Sequence, residues 1–146
     1  NAQRTARRRA DDRLANEILD RGIEWFTDYW MGLPMFASQS RLGTNALAEA
    51  RRQRLENDEQ GLAGSLRGAG AGSQPPLWRS LSQVGGAVLL VVGDEDTWFR
   101  SLAIRMAAGI PDARIAIIPE AGHACHLENP EGTLAEVAGF LSSGGK

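Results

Sequence analysis

Ala87-Val88-Leu89-Leu90-Val91-Val92, followed by Gly93-Asp94-Glu95-Asp96, decides the fold. Six apolar residues stand in a row and are closed by a glycine and three acids. A run this short and valine-rich predicts a β-strand buried on both faces, as in a parallel sheet. Downstream, Phe99, Leu102, Ala103, Met106, Ala107 and Ile110 recur at helical spacing until Pro111 and Asp112 stop them. Ile115–Ile118 is a second short apolar strand. Strand, helix and strand within about thirty residues make a βαβ crossover, right-handed by rule. A last helix is expected from Pro130 to Leu141, with Pro130 in its first turn. Ser142–Lys146 reads as a frayed tail.

Upstream the pattern is helical throughout. Residues 4–21 form one helix, with Ala6, Ala10, Leu14, Ile18 and Leu19 near one face and Gly22 as its stop. A second covers Ile23–Met31, crowded with Trp25, Phe26, Tyr29 and Trp30, and ends at Gly32 and Pro34. A third runs over Asn45–Leu55 with Thr44 as N-cap. Asn57 and Gln60 resemble a capping box for a fourth, whose buried stripe would be Leu62, Leu66 and Ala69. Gly68–Gly72, Pro75 and Pro76 then lead into the strand region. Two domains are expected, a helical region at 1–80 and a strand-bearing region at 81–146. Two parallel strands alone leave open edges and uncovered faces. The sequence therefore predicts the C-terminal part of a larger α/β protein, with further strands before Asn1, and the absence of Met at position 1 agrees with that expectation.

Composition narrows the class. The 146 residues are 42% hydrophobic and 23% charged, a globular mix. The net charge of -2 argues against a dedicated nucleic-acid binder. Residues 1–80 hold 12 basic and 10 acidic residues, whereas residues 81–146 hold 4 and 8, as two regions with different tasks would. No apolar run is long enough for a membrane span. Cys125 is the single cysteine, so no intrachain disulfide can form, and a reducing, cytoplasmic location is expected.

The chemistry centres on two residues. Asp96 lies just past the end of the first strand, and His123, in Ala121-Gly122-His123, lies just past the end of the next. Carboxyl ends of neighbouring parallel strands share one edge of the sheet, where ligands bind. A carboxylate on one imidazole nitrogen fixes the tautomer and leaves the other nitrogen as a general base. The plainer reading is that Asp94, Glu95 or Asp96 caps the following helix and that His123 is a loop residue. Both together, in this order at one edge, favour catalysis.

These segments carry a resemblance. Val88–Phe99 followed by Ala121-Gly122-His123-Ala124-Cys125-His126-Leu127-Glu128-Asn129-Pro130 is similar to the C-terminal half of an α/β-hydrolase fold. That superfamily orders its triad nucleophile, acid, histidine, and Asp96 and His123 match the second and third members. No Gly-x-Ser-x-Gly occurs in the chain, and Ser65 is not on a strand-to-helix elbow. The resemblance implies that the nucleophile and oxyanion hole belong to an N-terminal remainder, a partner without which the 146 residues are expected to be inactive. Residues 4–80 take the place of the helical cap inserted over such active sites.

Three cap segments narrow the resemblance further: Asp28-Tyr29-Trp30-Met31-Gly32-Leu33-Pro34-Met35-Phe36-Ala37-Ser38, Gly61–Gly68 and Gln74-Pro75-Pro76-Leu77-Trp78. With Gly93-x-x-Asp96-x-x-Phe99 and His123-x-x-His126, they resemble the 2-succinyl-6-hydroxy-2,4-cyclohexadiene-1-carboxylate synthase family of menaquinone and phylloquinone biosynthesis. The implied activity is a carbon–oxygen lyase that eliminates pyruvate from 2-succinyl-5-enolpyruvyl-6-hydroxy-3-cyclohexene-1-carboxylate. A serine made basic by His123 and Asp96 would remove a ring proton. Substrate-binding roles are implied for Arg7, Trp30, Arg54 and Phe99, with Arg51 an alternative to Arg54. No cofactor is expected. Trp98 stands where the family motif leads one to expect lysine.

Other readings compete. The arginines at 4, 7, 8, 9 and 13 are by default a solvated helix face, interrupted by Asp11 and Asp12. Trp25 or Phe26 suits packing, with Trp30 nearest the cleft, and Trp78 and Trp98 read as packing residues under loops. His123, Cys125, His126 and Asp96 could be zinc ligands, but three lie within four residues and no second cysteine exists, so no metal is expected. Cys125 reads as a buried, inert thiol. Two further functional readings are a cap-bearing hydrolase of an ester or C–C bond and a non-catalytic helical interaction fragment.

Overall fold

The computed structural model describes residues 2–144, so Gly145 and Lys146 of the expected frayed tail lie outside the described residues. Two compact units emerge. One comprises residues 2–33 and 44–76, and the other residues 34–43 and 77–144.

The first unit is helical. Helix α1 (Ala2–Met31) is two helices joined at Gly22, whose φ of 84° lies in the left-handed region that glycine enters without steric penalty. The break leaves the Ile23 N–H without a helical partner. The Glu59 carboxylate accepts it at 2.9 Å, so the second half of α1 is capped from a different helix. Helices α2 (Gly43–Leu55) and α3 (Glu59–Ala69) complete the unit. Ala15, Ile18 and Ala63 are buried between α1 and α3. The four aromatics of α1 pair at helical spacing: Trp25 stacks on Tyr29 with centroids 5.3 Å apart, and Phe26 meets Trp30 at 5.6 Å.

Sequence expectations for this unit need three corrections. Helix α2 begins at Gly43, so Thr44 lies inside it and is not its cap. The cap of α3 is Asp58, which accepts from the Gly61 N–H, while Asn57 donates to the Arg54 carbonyl. The Asn57–Gln60 box therefore does not form, because a carboxylate one residue later takes the orphan donor. The buried residue of α3 is Ala63. Leu62 and Leu66 are half-buried and Ala69 is exposed, so the stripe is rotated towards the small side chain that allows close approach to α1.

Glu49, Arg52 and Glu56 form an exposed pairing along α2. Hydrogen bonds from Arg52 and Gln53 hold the Glu49 carboxyl down at about 2. A depressed carboxyl contributes stability that is present above its unfolded value, near 4.5, and is lost as pH falls through about 2. A carbon-detected NMR titration should place Glu49 near 2, and an ordinary glutamate midpoint would show that the pairing does not persist in solution.

In the second unit, β1 (Val88–Gly93) and β2 (Ala113–Ile118) pair in parallel, from Val88 opposite Ala113 to Gly93 opposite Ile118. Helix α4 (Thr97–Ala107) joins them, with Ala103 buried and Leu102 and Met106 half-buried. The βαβ unit is thus present as expected, but the β1 side chains are half-buried rather than buried on both faces. Short helix α5 (Cys125–Glu128) precedes α6 (Pro130–Ser142), which has Asn129 as its cap and Pro130 in its first turn. Two 3-10 segments, Pro34–Leu42 and Trp78–Gln83, have no counterpart in the periodicity reading. Trp98 is 69% exposed and Trp78 45% exposed under the Arg105 guanidinium, so neither is the packing residue expected. No helix of the described residues is long and apolar enough to cross a membrane.

Candidate active site

Gly93 ends β1 and the chain turns at once. Asp94 N–H donates to the Ile118 carbonyl and Glu95 N–H to the Ala121 carbonyl, which binds the two loops at the carboxyl edge. Asp96 follows as the N-cap of α4: Oδ1 accepts from the Phe99 N–H at 3.1 Å. Its other oxygen, Oδ2, lies 2.7 Å from His123 Nδ1. The capping and the catalytic readings of Asp96 are therefore satisfied by different oxygens of one side chain. The cap orients the carboxylate, and substituting such a cap costs about 0.5–2 kcal/mol.

An ionised carboxylate can only accept, so in the neutral imidazole it selects the tautomer with the proton on His123 Nδ1, whose Nε2 carries a lone pair. Among the described residues no hydrogen bond reaches Nε2. Phe99 and Phe36 flank the imidazole at centroid distances of 4.5 and 5.7 Å. The His123 side chain is 28% exposed and that of Asp96 13%. The pair opens into a cavity of about 540 Å³ whose walls include Met35, Ser38, Trp98 and Phe99. That wall carries acids but no cation. A base with a free nitrogen, held by a carboxylate in a partly apolar cleft, can take a proton from a hydroxyl or from carbon.

The structure brings Asp96, His123 and Phe99 together. The remaining candidates lie on the helical unit. Arg7 Nε donates to buried Asp11 at 2.8 Å, which leaves the outer nitrogens of a 57%-exposed side chain available to a carboxylate. Arg54 donates to the Ala50 carbonyl, and Arg51 pairs with Asp28 at 3.0 Å. Trp30 is half-buried against Phe26. Among the described residues no group of three His, Cys, Asp or Glu side chains could hold a metal ion, and Cys125 is free and buried. Sequence reasoning missed Phe36, Met35 and Ser38 as site residues, because the segment carrying them has neither helical nor strand periodicity. It also missed Arg41 and Glu128, which brace the loops.

A parallel βαβ unit with an acid and a histidine meeting at its two strand ends is an arrangement of the α/β-hydrolase fold. Residues 2–137 match the alpha/beta hydrolase family, and the chain belongs to it. It is 40% identical over 141 residues to a Bacillus subtilis (strain 168) protein provisionally named a 2-succinyl-6-hydroxy-2,4-cyclohexadiene-1-carboxylate synthase, covering 97% of this chain and 52% of that one. An Escherichia coli (strain SMS-3-5 / SECEC) synthase of the same name is 33% identical, covering 95% and 52%. The solved structure of MenH from S. aureus superposes with a TM-score of 0.95 at 33% identity, covering 97% of this chain and 53% of that one. The chain thus spans about half the length of the relatives it matches.

Proposed function

We propose that the polypeptide carrying this chain eliminates pyruvate from 2-succinyl-5-enolpyruvyl-6-hydroxy-3-cyclohexene-1-carboxylate in menaquinone biosynthesis. The observation that carries the reading is the 2.7 Å Asp96–His123 pair at the carboxyl edge of a parallel sheet, in a chain whose relatives bear that synthase name. His123 Nε2 takes the proton of a serine hydroxyl supplied from outside these 146 residues. The serine oxygen removes the ring proton. The C–H electron pair moves into the ring as a new double bond, the bond to the enolpyruvyl oxygen breaks, and pyruvate leaves after its enolate is protonated. Asp96 holds the imidazole in the required tautomer and stabilises the imidazolium.

The substrate bears several carboxylates, and the described cavity wall offers them no cation. The resemblance assigns that role to Arg7 and Arg54, with Trp30 and Phe99 against the carbon skeleton. A charged hydrogen bond of this kind contributes roughly 1.5–3 kcal/mol. Pyruvate release, followed by a coupled reductase, should be seen when the full polypeptide meets this substrate. Ester turnover without pyruvate release would replace the lyase reading by the hydrolase one.

A further inference from the structure

The loop that carries His123 is buried and strained, so something must hold it. Ala121, Gly122, Ala124 and Cys125 are buried, and Glu120 sits at φ 53°, a left-handed conformation costly for a side-chain-bearing residue. Buried amides need acceptors, and here carboxylates supply them. Ala121 N–H donates to Asp94 Oδ1 at 3.2 Å. Gly122 N–H donates to Glu128 Oε2 at 2.9 Å, and Ala124 N–H to Glu128 Oε1 at 3.3 Å. The two oxygens of one carboxylate thus grip the amides on either side of His123. Glu128 ends the single turn of α5 that starts just after Ala124, so the chain folds its own acid back onto the loop.

That carboxylate is only 2% exposed, and a buried charge needs a counter-charge. Arg41 provides it from 3.6 Å. The same guanidinium donates to Glu95 at 3.0 Å and to the Glu120 carbonyl at 3.2 Å. Glu95 adjoins Asp96, and Glu120 begins the histidine loop. One cation therefore ties together the two loops whose tips must stay 2.7 Å apart. We infer that Glu128, with Arg41 behind it, is a positioning residue that sets the Asp96–His123 geometry by clamping the amides flanking the histidine.

The inference rests on His123 being the base, and the test separates the two ideas. In the full polypeptide, Glu128→Gln keeps the shape, but its NH2 faces one of the two amides donor to donor and Arg41 loses one of its two carboxylate partners. The turnover number should fall on the order of 10²-fold, as for an ångström-scale misplacement of a catalytic group, with KM little changed. The downfield proton resonance of His123 Nδ1, which needs no substrate, should broaden or vanish. Glu128→Asp, which restores the charge, should recover part of both. Arg41→Met, at a position whose side chain is 52% exposed, should shift both readouts the same way by less. Wild-type turnover and an unchanged resonance in Glu128→Gln and Arg41→Met would overturn the inference, even with a lowered melting temperature. Full activity in His123→Ala would instead remove the base reading on which it stands.

Discussion

Gly93→Ala should both destabilise the second unit and disable the site. A Cβ built on Gly93 collides with the carbonyl oxygens of Ala121 and Gly122 and lies 2.6 Å from the Ala121 carbonyl carbon. These are backbone atoms of the histidine loop, and no rotamer change can move them aside. The end of β1 and that loop must separate instead. Overpacking of this kind costs about 1–3 kcal/mol, and displacing His123 from Asp96 by about an ångström costs roughly 10²-fold in rate. Gly139→Ala is the matched control, since a Cβ there meets nothing within 4 Å and its helix should gain about 0.5–1 kcal/mol. Thermal unfolding and turnover of the two variants decide the matter. A Gly93→Ala protein with wild-type melting and rate would show that the loops are not in close contact.

His123→Ala should lose about 10²–10⁴-fold in turnover, because the general base is gone. The fold should be little affected. The side chain is part-exposed, it makes one hydrogen bond to another side chain, and its neighbours Phe36 and Phe99 belong to separate elements. Asp96→Asn should lose on the order of 10⁴-fold, the loss expected when a triad aspartate becomes an asparagine. The amide oxygen can still cap α4 through the Phe99 N–H, but its NH2 would face Nδ1 and select the wrong tautomer. Near-native circular dichroism with collapsed turnover is the expected pattern for both, and turnover near wild type would remove either residue from the chemistry.

The parts of this architecture that could be read from sequence are those whose causes are local. The Ala87–Val92 run, the stripe from Phe99 to Ile110 and the stop at Gly22 each declare themselves within one element. The Asp96–His123 pairing was legible because parallel strands deliver their ends to one edge, so two strand-end residues meet whatever the intervening helix does. The 3-10 segment Pro34–Leu42 was not legible. Its period is near neither 2 nor 3.6, and its residues join the strand-bearing unit although helices of the other unit flank them in sequence. Glu128 and Arg41 gave no signal either, since a single acid and a single arginine far apart look like solvated surface until the backbone amides they serve are placed. Asp58 displaced Asn57 as a cap for a smaller reason: adjacent residues with equal capping ability compete, and turn geometry picks one.

The most direct test is a double-mutant cycle on turnover in the full polypeptide, with Asp96→Asn, His123→Ala and both together. An aspartate that acts only through the imidazole has nothing to do once the imidazole is gone. The double variant should therefore be as slow as His123→Ala alone, within experimental scatter. Losses that multiply, as for two independent residues, would contradict a single Asp96–His123 unit.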